Sequence, residues 1–173
     1  MTFLPFANRG YLAMFALLLA GRGMDFLSTW VATPNLALEG NPLAKKMGWK
    51  WGGLLNVAIC FAFAFWPLTA VIVITTSLLV AARNFHSAWL MRSMGEAAYR
   101  EWFVERIAQA RLSLFFSCLL AETVLGGAIG AALIGFSGEE SVPFAIGFGI
   151  LAYSAIVLFY TSLSLWRLRR RME

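Results

Sequence analysis

The sequence predicts an all-α fold, a polytopic bundle of five transmembrane helices with the N-terminus outside and the C-terminus in the cytoplasm. Three observations lead there. Of 173 residues, 60% are hydrophobic and only 13% charged, against about 25% charged in an ordinary soluble domain. The mean hydropathy is +0.73, so too few polar groups exist to cover a water-facing surface. Apolar runs long enough to span a bilayer recur along the chain. Basic residues gather beside alternate ends of those runs, as cytoplasmic loops require. At about 20 residues per span, the crossings leave no room for a soluble domain, and residues 1–173 form a single transmembrane domain. Disorder, a collagen-like fibre and a soluble Rossmann or barrel enzyme are excluded.

The first span covers about residues 10–31. Its apolar run Tyr11–Ala20 lacks a small-x-small cleavage site, so it is read as a retained helix rather than a signal peptide. A polar loop follows to Lys50, with Pro34, Gly40, Pro42 and Gly48 breaking any continuous helix. The apolar stretch from Trp51 to Ala82 is too long for one crossing. Pro67 divides it, because a proline costs nothing in a first helical turn. The second and third spans are thus 51–65 and 67–94. Gly95 turns the chain into an amphipathic cytoplasmic segment, 96–111, in which Glu96 and Arg100 stand four apart. That segment is expected to continue unbroken into the fourth span, 112–136. A polar turn at Ser137–Ser141 leads to the fifth span, 142–166, and to the basic tail beginning at Arg167.

Orientation follows from the cations. With the tail in the cytoplasm, Lys45, Lys46, Lys50, Arg92, Arg100 and Arg106 share its side, while Arg9 and the Glu139-Glu140 turn lie opposite. The net charge of +5 is therefore a statement about topology. Dispersed among apolar helices, these cations build no groove for nucleic acid. The expected partner is the lipid bilayer. Cys60 and Cys118 lie in apolar runs without Cys-x-x-Cys spacing and read as small core residues.

Ionisable groups at membrane depth need a partner or a purpose. Arg22, Asp25 and Thr29 are spaced three and four apart, on one face of the first span. The plainest account is a local Arg22–Asp25 ion pair with the arginine snorkelling to the surface. The following loop reads Glu39-Gly40-Asn41-Pro42, a turn in which the proline holds Asn41 extended. The third span carries Arg83, Asn84 and His86, the chain's single histidine. Topology brings these eight residues to the cytoplasmic ends of the first and third spans, as a candidate ligand-binding cluster. Glu122 stands about 16 Å of helical rise above Arg111. Near mid-bilayer it is expected to be neutral or to face a partner from another helix, which makes it a candidate for a proton or ion path. Gly126 and Gly130, at small-x-x-x-small spacing, allow close helix approach. That contact is either inside the protomer or with a second copy or larger membrane complex.

The stretch Asp25-Phe26-Leu27-Ser28-Thr29, followed by Glu39-Gly40-Asn41-Pro42-Leu43, resembles a group of small bacterial integral membrane proteins of unknown function. These share an Asp-x-x-Ser/Thr-Thr helix and a Glu-x-Asn-Pro loop. The resemblance covers residues 25–43. It implies that Asp25 and Glu39–Pro42 belong to one site and that the chain is a multi-pass protein of a bacterial inner membrane. It implies no activity.

Three functions fit these residues. The leading one is binding, and passage, of a small ion, proton, polar solute or lipid headgroup by the cytoplasmic-end cluster. The second is an intramembrane enzyme, a metal-assisted hydrolase or acid/base catalyst using Asp25, Glu39 and His86, although neither H-E-x-x-H nor G-x-S-x-G occurs. The third is an accessory subunit of a larger membrane complex.

Overall fold

The computed structural model describes residues 3–169. Among them the chain forms six helices: α1 (Arg9–Ala32), α2 (Pro42–Phe63), α3 (Pro67–Met94), α4 (Glu96–Gln109), α5 (Leu112–Phe136) and α6 (Val142–Arg169). Local chemistry sets most of their ends. Asn8 caps α1 by accepting from the Tyr11 N–H at 2.7 Å. Asn41 does the same for α2 through the Leu43 N–H at 3.0 Å, with Pro42 in the first turn. Pro67 opens α3 in the same way.

Two boundaries differ from the sequence reading. The second helix starts at Pro42, not Trp51, because the Asn-Pro pair that reads as a turn is also an N-cap followed by its preferred first residue. It is interrupted at Gly48, with φ 67° and ψ −174°, a backbone conformation almost reserved for glycine. The stretch beyond Gly48 is the apolar one. The amphipathic segment also fails to run on into the next helix: Ala110 and Arg111 are extended, at ψ 143° and 120°, and separate α4 from α5. At the other end of α4, Gly95 (φ 80°, ψ 153°) makes the sharp turn from α3.

The helices form a row in the order α2, α1, α3, α6, α5, with α4 attached to the end of α3. α1 and α3 run parallel: Gly21 packs on Ile74, Arg22 reaches Ser77, Asn84 reaches Ser28 and Thr29, and Arg92 lies over Trp30. α2 runs the opposite way along α1. Trp49 donates to the Pro34 carbonyl at one end, and the Tyr11 hydroxyl donates to the Phe61 carbonyl near the other. α6 is parallel to α3, with Thr76 donating to the Gly149 carbonyl at 3.0 Å. α5 returns antiparallel against α6. There the backbones nearly touch: a Cβ on Gly130 would stand 2.8 Å from the Gly147 carbonyl oxygen. Gly126 likewise meets Ser154, so both glycines of the small-residue pattern are used within the protomer, against α6.

Tyr11, Leu18, Cys60, Ala64 and Ala70 form the apolar core at the N-terminal end of α1. Rings of Phe6, Phe15, Phe61 and Phe65 cluster around Tyr11. Among the described residues four helices are long and apolar enough to cross a membrane: α1, α3, α5 and α6. They suit an integral membrane protein; α2, with lysines in its first turns, is not among them.

Candidate functional site

The polar residues of α1, α2 and α3 meet around Arg22. Its guanidinium donates from Nε to Asn56 Oδ1 at 2.6 Å, and from Nη1 to Asp25 Oδ2 at 3.1 Å and Ser77 Oγ at 3.2 Å. Three helices thus hold one cation. The spacing explains it: Arg22 and Asp25 are one turn apart on α1, while parallel packing sets Ser77 of α3 at the same level. The ion pair is mostly enclosed, with side-chain exposures of 26% and 20%.

One turn further along, Asn84 of α3 donates to Ser28 Oγ at 3.2 Å and Thr29 Oγ1 at 3.3 Å. Both hydroxyls donate in turn to the Asp25 carbonyl, at 2.8 and 3.0 Å. Asp25 is therefore fixed twice, through its carboxylate by Arg22 and through its backbone by Ser28 and Thr29. The cost of enclosing these polar groups is met by mutual hydrogen bonding.

Glu39 approaches from the α1–α2 loop, close enough for its charge to act on Asp25. Its carboxylate accepts the Asn41 N–H at 2.7 Å. Burial pushes the Glu39 carboxyl above the ordinary carboxylate range, against smaller opposing effects of that hydrogen bond and of Lys45. The loop itself is clamped by Glu96 at the start of α4. Glu96 accepts from Thr33 Oγ1 at 2.5 Å and from the Asn35 N–H at 3.0 Å. Burial pushes its carboxyl up, but these hydrogen bonds outweigh burial and hold it below the ordinary range. Thr33 also accepts the Leu38 N–H at 3.0 Å, tying the loop to the end of α1.

The eight residues expected to converge are thus divided. Arg22, Asp25, Thr29 and Asn84 form one hydrogen-bonded group, with Glu39 and its Asn41 contact at its edge. Arg83 points elsewhere and pairs with Glu122 of α5, so the cation that α5 lacks near Glu122 comes from α3. His86 is exposed. Two residues beyond Asn84, it lies about 200° around the helix, away from the cluster. The enzymatic reading had Asp25, Glu39 and His86 acting together, and among the described residues no group of three or more His, Cys, Asp or Glu is placed to hold a metal.

Sequence reasoning missed Asn56, Ser77, Thr33 and Glu96. Asn56 is the only strongly polar side chain between Trp51 and Phe65, a signal of the same kind that singled out Glu122. Ser77 closes a Thr-Thr-Ser run inside an apolar helix. Small hydroxyls satisfied by their own helix are common, so its role shows only when Arg22 is seen beside it.

Compared with protein families, curated proteins and solved structures, the chain has no match, so the functional reading rests on this geometry.

Proposed function

We propose that this is an integral membrane protein of five spans, its C-terminus in the cytoplasm, that binds a small cation or a proton at the Asp25–Glu39 cluster and passes it across the membrane. One observation carries the reading: two partly enclosed carboxylates, from α1 and from the α1–α2 loop, lie close enough for the charge of Glu39 to act on Asp25, while Arg22 is bonded to Asp25 and the charge of Lys45 acts on Glu39. Two enclosed carboxylates near each other attract a cation or retain a proton, because burial and like charge both disfavour their ionised forms. Ligand oxygens are at hand on Asp25, Glu39, Thr29 and Asn84. Arg22 itself is poorly suited to a lipid phosphate, since its Nε and Nη1 are already engaged by Asn56, Asp25 and Ser77. The fifth span is α2 beyond Gly48. Its antiparallel course along α1, from Trp49 near Pro34 to Phe61 near Tyr11, supports that count.

The test is reconstitution of the full chain in liposomes carrying a pH-sensitive dye, under imposed gradients of protons, Na⁺ or K⁺. Flux of one of these is expected, with at least a tenfold loss on Asp25→Asn and on Glu39→Gln. Absence of flux from the wild-type chain, together with no thermal stabilisation by any of these cations, would overturn the proposal.

A further inference from the structure

Arg83 and Glu122 form an ion pair between α3 and α5, two helices that are separated in the row by α6. Each is far from the end of its helix. Arg83 lies eleven residues before Met94 and Glu122 ten after Leu112, about 15 Å of rise in either case. Yet the pair is open, with side-chain exposures of 36% and 47%. Arg22 and Asp25, one to two turns nearer the starts of the parallel helices α1 and α3, are enclosed by three helices. A charged pair this far from its helix ends and half-uncovered is costly in a bilayer unless other protein covers it.

The surrounding face is equally unpartnered. Arg83 adjoins the exposed His86 on α3, and Glu122 adjoins the exposed Cys118 and Leu125 on α5. Only 11% of the apolar window of α5 is buried inside the chain, and Gly126, Gly127 and Gly130 are already taken by α6.

We infer that this face binds a second copy of the chain, in a two-fold dimer centred on Arg83 and Glu122. The charges choose the partner. In an isologous contact, residue i of one copy meets residue j of the other and j meets i. One arginine and one glutamate side by side are therefore complementary to their own image. Arg83 of each copy faces Glu122 of the other, and the two pairs become a closed network of four charges shielded from lipid.

The inference does not rest on the cluster around Arg22 and is tested separately, by counting subunits of the full chain in lipid nanodiscs and in sparsely loaded liposomes. The wild-type chain is expected to be a dimer. Arg83→Glu alone sets two carboxylates against each other across the two-fold, and Glu122→Arg alone sets two arginines. Each is expected to halve the measured mass. Mixed together, these two variants restore complementary charge only between chains, never within one, so a heterodimer is expected and neither homodimer. The double exchange in a single chain, Arg83→Glu with Glu122→Arg, is expected to dimerise like the wild type. A monomeric wild-type chain would overturn the inference, as would a dimer unaffected by either single reversal. If the single variants do not fold separately, co-expression is expected to recover them as a heterodimer, and failure to do so also overturns it.

Discussion

Glu39 and Glu96 hold the same loop yet respond to pH in opposite senses. Burial raises the Glu39 carboxyl above its unfolded value, so the folded state binds its proton more tightly. Its destabilising effect is absent below the ordinary carboxylate pKa of about 4.3, grows as pH rises through the interval, and is complete above the folded value. Glu39→Gln keeps an oxygen for the Asn41 N–H and removes the buried charge. It is expected to raise the melting temperature in detergent at pH 7.5 and leave it unchanged at pH 4. Glu96 is the reverse case. Its folded pKa is lowered by Thr33 and Asn35, so its stabilisation is present above the unfolded value and is lost as pH falls through the folded one. Glu96→Ala is expected to speed proteolysis and hydrogen exchange over residues 33–38 at pH 7.5. If the loop's exchange rates stay at wild-type values, the clamp is not what holds it.

Among the helices, the α5–α6 contact depends most on single atoms. A Cβ at Gly147 would stand 2.6 Å from the Gly130 carbonyl oxygen of α5, and on the other face of α6 one at Gly149 would stand 2.6 Å from Thr75 Cβ of α3. Backbone cannot move aside as a side chain can, so α6 must shift as a unit. Gly147→Ala is expected to cost about 1–3 kcal/mol, the usual range for overpacking, while Gly135→Ala, where a Cβ meets nothing within 4 Å, is expected to be neutral. Equal melting temperatures for the two variants would show that the interface relaxes freely. Element boundaries were legible where a residue has one meaning, as at Pro67 and Gly95. They were not at Asn41-Pro42 or Ala110-Arg111. Asn-Pro serves both a turn and an N-cap, and the amphipathic pattern of 96–111 does not reveal that two extended residues end it.

Across the whole molecule, the alternation of α1, α2, α3, α5 and α6 puts the ends of α1 and α6 that lead to the two termini on opposite sides of the bundle. A cytoplasmic reporter fused after Glu173 is expected to be active, and one in the Ser137–Gly138 turn is expected to behave as external. If reporters at the N-terminus and after Glu173 report one compartment, the division of the apolar stretch at Pro67 into two crossings is wrong.

The sequence by itself determined the class of molecule, since 60% hydrophobic residues with 13% charged leave only a membrane as solvent. It also determined the helix periodicity that aligns Arg22, Asp25 and Thr29, and the presence of costly charges at depth. Neighbourhood was decided by tertiary structure alone. Arg83 and Asn84 are adjacent in the chain, yet one joins Glu122 of α5 and the other Ser28 and Thr29 of α1. The physical reason is that consecutive side chains on a helix point about 100° apart. Which partner each meets depends on the order α1, α3, α6, α5 across the bundle, and that order is set by packing between helices, such as the Gly130–Gly147 contact, rather than by any local pattern.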